Sequence, residues 1–159
     1  MLWALVDGFC QGRMLCLMRI ELATGTEGLE IQAMLSKAGL PVEDLSTAPV
    51  RFWLARQGRS LAGAIGIERY GSAGLLRSLA VDPGHQGLGT GSALVQALEL
   101  AMRAEGLETI VLLTQTAETF FAKRGYVPTL REQVPEPIRQ TAEFRALCPA
   151  TAVCMSKAL

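Results

Sequence analysis

The chain has 159 residues, 50% hydrophobic and 19% charged, with 15 basic residues against 15 acidic ones. That length favours one domain with a core that needs no disulfide or metal, and the apolar content excludes the disordered class. Zero net charge, with no basic run and no acidic tail, points away from nucleic acid, and four cysteines without a CxxC pair beside a single histidine point away from structural zinc.

Residues 1–17 begin with an apolar stretch, MLWALVDGFCQGRMLCL, that Asp7 and Arg13 interrupt. No basic segment precedes it, and it is too short and broken to span a membrane. It reads as an extension outside the domain or as an extra docked helix. Residues 18–159 form the expected domain. With no secretory signal, reduced thiols and a cytoplasmic location are expected.

MRIELA alternates, with Met18, Ile20 and Leu22 on one face of a strand. In TEGLEIQAMLSKAGLP, the residues Ile31, Met34, Leu35 and Ala38 share a helical face. Thr26 is placed to cap that helix and Gly39 to end it. Residues 50–57 and 60–69 read as two strands around a turn at Gly58-Arg59. After a turn at 70–74, LLRSLAV (75–81) is the next strand. Residues 90–105 carry Leu94, Leu98, Ala101 and Met102 on one helical stripe, with Gly106 at the stop. TIVLLT (109–114) is an apolar strand, AETFFAKRGY (117–126) a short helix, residues 135–147 helical, and 152–158 a last strand. Strand 75–81, helix 90–105 and strand 109–114 make a βαβ unit, so these two strands are parallel with a right-handed crossover. The fold class is α/β: a mixed sheet, antiparallel first and parallel in the middle, with flanking helices.

The segment VDPGHQGLGTGSAL (81–94) joins strand to helix and holds four glycines between Gly84 and Gly91. Backbone N–H groups at a helix start, with the dipole behind them, attract an anion. Missing β-carbons let a phosphate come close. A phosphate-binding P-loop requires Lys-Ser/Thr after its second glycine, whereas Ser92-Ala93 follows Gly91. The dinucleotide pattern GxGxxG is also absent, since Gly87–Gly91 is GxGxG.

Gln86-Gly87-Leu88-Gly89-Thr90-Gly91 fits Q/RxxGxG/A and, after Val81-Asp82-Pro83, resembles the acetyl-CoA pyrophosphate loop of the GNAT N-acetyltransferase superfamily. The resemblance covers residues 18–159 and implies a single GNAT domain in which strands 75–81 and 109–114 splay apart to admit the pantetheine arm. Leu79, Ala80 and Val81 would bond that arm as an added strand would. Gln86, Gly87, Leu88, Gly89, Thr90, Gly91 and Ser92 would cradle the pyrophosphate. The implied reaction is direct attack of a small amine on the thioester, with a backbone N–H polarising the carbonyl. LLTQTAETFFAKRGY is further similar to amino-acid N-acetyltransferases, including N-acetylglutamate synthases. Together with LLRSLAV, VPEPIRQTAEF and LCPATAVCM, it also resembles the arsenic-resistance N-acetyltransferases of bacterial arsenic operons. These likenesses suggest an amino-acid-like acceptor or an arsenic-bearing analogue. The fold family often pairs through its C-terminal strands, so a homodimer is expected.

Phe121 stands where many superfamily members have a tyrosine that protonates the departing thiolate. Its ring would pack on the cofactor, and a thiol of pKa about 8.5 leaves readily enough for water to protonate it. The amine needs a proton acceptor. Glu68 is the first candidate, on the parity of Gly66 and Ala64, and its alternative is a surface strand-end residue; Glu118 and Glu143 are further candidates. Arg77 sits mid-strand on the parity of Leu75, Leu79 and Val81 and needs an anionic partner. That partner is a substrate carboxylate or Glu68. Arg51 and Arg131 are further carboxylate-binding candidates, and His85 reads as solvent-facing. Cys148 and Cys154 have metalloid-chelating spacing or are core hydrophobes, and Cys10 and Cys16 add nothing to such a site. No resident metal is expected. Two rival functions remain at this level: a non-catalytic acyl-CoA sensor and a thiol-based metalloid-binding protein.

Overall fold

A computed structural model describes residues 17–159. The predicted extension 1–17, with Cys10 and Cys16, lies outside the described residues except for the exposed Leu17. Seven strands are hydrogen-bonded neighbours in the order β1-β2-β3-β4-β5-β7-β6. They are β1 Met18–Leu22, β2 Arg51–Gln57, β3 Ser60–Tyr70, β4 Ala73–Val81, β5 Thr109–Thr114, β6 Val127–Pro128 and β7 Val153–Ala158. The helices are α1 Gly28–Lys37, α2 Thr90–Ala104, α3 Glu118–Ala122 and α4 Glu136–Arg139. The mixed α/β expectation holds. β4 and β5 are parallel from Ala73↔Thr109 to Leu76↔Leu112, while β1–β2, β5–β7 and β6–β7 are antiparallel.

The chain divides into two compact units, and β3 and β4 run through both. The first takes the residues up to Val42 with 51–66 and 78–101. β2 and β3 bury Leu54, Ala55, Ala62, Ala64 and Ile65, and α2 buries Leu94, Val95 and Leu98. The expected apolar stripe of α2 therefore faces inward, which is why this segment is a helix and not a third strand of the hairpin. Gly63 has no room for a side chain, because a β-carbon would lie 2.9 Å from both the Ala80 carbonyl oxygen and Leu94 Cδ1.

The second unit takes 43–50, 67–77 and 102–159. Its core joins Ala73 and Leu75 of β4, Val111 of β5, Val134, Ile138, Phe144 and Cys154. Burial on this scale stabilises by roughly 25 cal/mol per Å² of apolar surface.

Local differences from the sequence reading have local causes. Thr26 does not cap α1. The N-cap is Glu27, whose carboxylate accepts from the Thr24 and Gly25 N–H groups, while the Thr26 hydroxyl faces that of Thr24 at 3.2 Å. β4 starts at Ala73, two residues early, because the turn needs only Gly71 and Ser72. The predicted helix 117–126 is only Glu118–Ala122. The predicted helix 135–147 is broken. The Thr141 hydroxyl donates to the Ile138 carbonyl at 2.7 Å, competing with the helical ladder. The chain resumes as a π-type turn over 143–147 closed by the Cys148 N–H on the Glu143 carbonyl. The two-residue β6 carries no periodic signal of its own and exists by pairing with Ser156 and Met155 of β7.

The contact at Gly63 gives a direct test. Gly63→Ala should lower stability by about 1–3 kcal/mol, because a backbone oxygen cannot yield as a side chain can. Chemical denaturation should show a lower midpoint with an unchanged slope.

Candidate functional site

The glycine loop is a built feature of the first unit. After β4, the Asp82 carboxylate accepts from the Gly84 N–H at 3.1 Å and starts a short 3-10 turn over Pro83–His85. Gly87 and Gly89 follow with φ of +73° and +85°, a region that glycine enters at no steric cost. A β-carbon built on either meets nothing within 4 Å. The space beside both glycines is therefore open. α2 begins at Thr90, and its hydrogen-bond ladder starts with the Ala93 N–H on the Gly89 carbonyl at 2.9 Å. The earlier N–H groups of the helix have no place in that ladder and point toward the loop end.

The expected cofactor residues divide by what their side chains do. Thr90 is 2% exposed and its hydroxyl donates to the His85 carbonyl at 3.1 Å, so its contribution to an anion is through its backbone. The Gln86 side-chain amide turns back to the Val81 carbonyl at 3.1 Å. Leu88 is exposed and Ala80 buried, with Leu79 and Val81 half-buried. Gly91 and Ser92 lie in the first turn of α2. Phe121 is buried, with its ring edge-on to Phe120 at 5.0 Å and to Tyr126 at 5.3 Å.

His85 is not solvent-facing. Its side chain is 17% exposed, with Nε2 2.8 Å from Gln57 Oε1 and Nδ1 3.3 Å from Asp82 Oδ2. The bond with His85, then the Gly84 N–H, holds the Asp82 carboxyl below its ordinary range. Ser78 is a second surprise: it sits inside β4 with φ +58°. A non-glycine residue there costs roughly 1–2 kcal/mol and breaks the two-residue alternation. The parity shared by Arg77 with Leu79 and Val81 therefore does not carry through the strand.

The second unit holds a buried charge cluster around Arg77. Its guanidinium, 1% exposed, forks onto Asp44 at 2.6 and 2.8 Å and donates to Glu68 Oε1 at 2.7 Å. Glu143 Oε2 stands 3.1 Å away as an ion pair outside hydrogen-bonding geometry. Burial alone would lower the Arg77 pKa. The hydrogen bonds to Asp44 and Glu68 and the charge of Glu143 overcome it and raise the pKa. Of the two partners considered for Arg77, the structure places Glu68, joined by two carboxylates that sequence reasoning did not put there. Glu68 is 2% exposed and both its oxygens are engaged, since the Tyr70 hydroxyl donates to Oε2 at 2.5 Å. It is thus neither a surface strand-end residue nor a carboxylate with an idle oxygen. The Tyr70 pKa is raised by burial and by Glu68.

The remaining candidates do not converge on this cluster as anion binders. Arg131 donates to the Pro149 and Ala152 carbonyls at 3.0 and 3.1 Å and lies over the Phe144 ring. Arg51 lies over Trp53 at 5.2 Å. Glu118 is exposed at the start of α3. Cys148 donates its S–H to Glu143 at 3.1 Å, and burial followed by that carboxylate pushes its pKa up to about 12. Cys154 is buried and also shifted up by burial. Both shifts favour the protonated thiol over the thiolate that ligates soft ions.

Residues 48–128, just over half of the chain, match the family model of the acetyltransferase (GNAT) domain. The chain belongs to this family. Its acetyltransferase domain is similar to parts of longer proteins. An amino-acid acetyltransferase of Pseudomonas fluorescens is 38% identical over 63 residues, which is 40% of this chain and 15% of the relative. One from Ralstonia nicotianae is 37% identical over 67 residues, 42% of this chain and again 15% of the relative. The match thus spans a small fraction of the curated relatives' length. Among solved structures, N-acetylglutamate synthase from Neisseria gonorrhoeae, complexed with coenzyme A and N-acetyl-glutamate, has a TM-score of 0.77 at 20% identity, over 90% of this chain and 35% of that one. Rv2747 from Mycobacterium tuberculosis, in complex with CoA and NLQ, has a TM-score of 0.74 at 24% identity, over 88% and 98%. At these identities the likeness is one of fold.

In this chain Asp44 carried no signal in the sequence, because the loop PVEDLSTAPV has no periodicity and the pairing with Arg77 spans 33 residues. Arg77→Met should leave three carboxylates facing one another with no cation. Stability is expected to fall by about 3–5 kcal/mol. The deficit should shrink on acidification as carboxylates take up protons, and thermal melts at pH 7 and pH 5 would read both effects.

Proposed function

We propose that the protein is an acetyl-CoA-dependent N-acetyltransferase acting on the amine of a small, amino-acid-like substrate. The observation that carries this reading is the glycine loop, with open space at Gly87 and Gly89 directly before the start of a 15-residue helix. Backbone N–H groups and the helix dipole would hold the pyrophosphate. β4 would present the thioester, with Leu79, Ala80 and Val81 along the pantetheine arm. The free amine attacks the thioester carbon, a C–N bond forms, the C–S bond breaks, and a backbone N–H steadies the oxyanion between these events. Phe121 has no proton to give, so the departing thiolate takes one from water.

The curated amino-acid acetyltransferases and the N-acetylglutamate synthase fold support an amino-acid-like acceptor. The arsenic-resistance subgroup is the finer version of this proposal, supported by the likeness of LLRSLAV, VPEPIRQTAEF and LCPATAVCM. A cytoplasmic, homodimeric enzyme is part of the same reading.

Coenzyme A release, measured against a panel of amino acids that includes arsenic-bearing analogues, tests it. Turnover on at least one amine is expected, and coenzyme A binding with no turnover on any would favour the sensor. Gly89→Val forces a β-branched residue to φ +85°. It should raise the acetyl-CoA KM at least tenfold; an unchanged KM would remove the loop from the site.

Amine deprotonation gives a second test. With both oxygens of Glu68 engaged, solvent is the assigned proton acceptor. The rise of kcat/KM with pH should therefore persist in Glu68→Gln. Loss of that rising limb would instead make Glu68 the base.

A further inference from the structure

We propose that His85 is a positioning residue for coenzyme A, fixing the backbone of the glycine loop in the form that receives a diphosphate. The inference rests on the reading of that loop as the coenzyme site. Gly87 and Gly89 leave open space beside the loop, and the same glycines leave it conformationally free. A free loop must be ordered at the moment of binding, and affinity falls accordingly. Something has to hold its ends.

His85 meets that need with three bonds to three elements. Ring Nε2 reaches Gln57 at the end of β2, 2.8 Å away. Ring Nδ1 reaches Asp82, just past the end of β4, at 3.3 Å. Its backbone carbonyl accepts from Thr90, the first residue of α2, at 3.1 Å. The last bond closes the base of the loop, so Gln86 to Gly89 hang between two tied ends. Asp82 is itself braced, by the Gly84 N–H at 3.1 Å and by Lys37 at 3.7 Å.

The chemistry of the ring suits this place. A carboxylate only accepts, so Nδ1 carries a hydrogen toward Asp82. Nε2 then faces the Gln57 amide, which offers an acceptor at one end and donors at the other. Both ring nitrogens are engaged by Asp82 and Gln57, so the action of His85 on the coenzyme runs through the backbone it holds.

Calorimetric titration of coenzyme A into the full chain tests this without turnover. Losing one anchoring bond corresponds to about a fivefold to tenfold rise in Kd. Gln57→Leu should show a rise of that size, and His85→Ala, which also loses the bond to Asp82, a rise at least as large. The double variant should bind no more weakly than His85→Ala, because His85→Ala already removes the bond to Gln57. His85→Gln, whose side-chain amide offers both a donor and an acceptor near the Nε2 position, should recover part of the loss. In steady-state assays the loss should fall on the acetyl-CoA KM and not on kcat. Gln57→Leu keeps the test open should His85→Ala fail to fold. A His85→Ala Kd within twofold of wild type, or additive losses in the double variant, would overturn the anchor while leaving the loop assignment standing. Wild-type protein that fails to bind coenzyme A would overturn the loop assignment and this inference with it.

Discussion

A guanidinium withdrawn from water has to find anions, and in this protein Arg77 finds three. The fork onto Asp44, the bond to Glu68 and the ion pair with Glu143 tie β4 to β3, to the loop before β2 and to the broken helical segment before β7. Burying such a group is costly by itself, so the cluster is weak evidence for net stability. Its effect is on specificity. Residues distant in sequence must meet with their charges matched, or three carboxylates stand unpaired in the interior.

The glycine loop depends on the opposite physics. It lies where side chains are missing, and what it offers is backbone N–H groups, open space and a helix start. A region built on absent side chains has little to pack, so polar ties at its margins hold it. Asp82, His85 and Thr90 supply them, each spending a side-chain polar group on the protein's own backbone or on a neighbouring side chain. Thr90 illustrates the division: a residue expected at the ligand by its place in the motif turns its hydroxyl inward.

What was legible in the sequence followed from periodicity and from turn chemistry. The stripe Leu94, Leu98 and Met102, the hairpin at Gly58 and the apolar run of β5 each state their structure locally. The difficulties arose where a distant partner decides. In sequence the alternation in β4 runs through Ser78, and the left-handed φ at that residue breaks it. The helix expected over 135–147 looked sound by pattern, yet the Thr141 hydroxyl competes for the Ile138 carbonyl. Glu68 and Arg77 drew attention as lone charges in apolar strands, and their partnership was visible as one alternative. Asp44 was not, because a carboxylate in an aperiodic loop resembles any solvated loop residue.

The sequence by itself determined the mixed α/β class, the parallel β4–β5 pair and the position of the glycine loop before α2, because hydrophobic period, glycine spacing and helix stops are local properties. Only the tertiary structure decided which charged side chains serve the protein's own interior. Arg77, Glu68 and Arg131 looked like ligands for an incoming molecule, and the folded chain gives each of them partners of its own. A side chain's charge is written in the sequence. Whether that charge is already answered depends on what the fold brings within 3 Å of it.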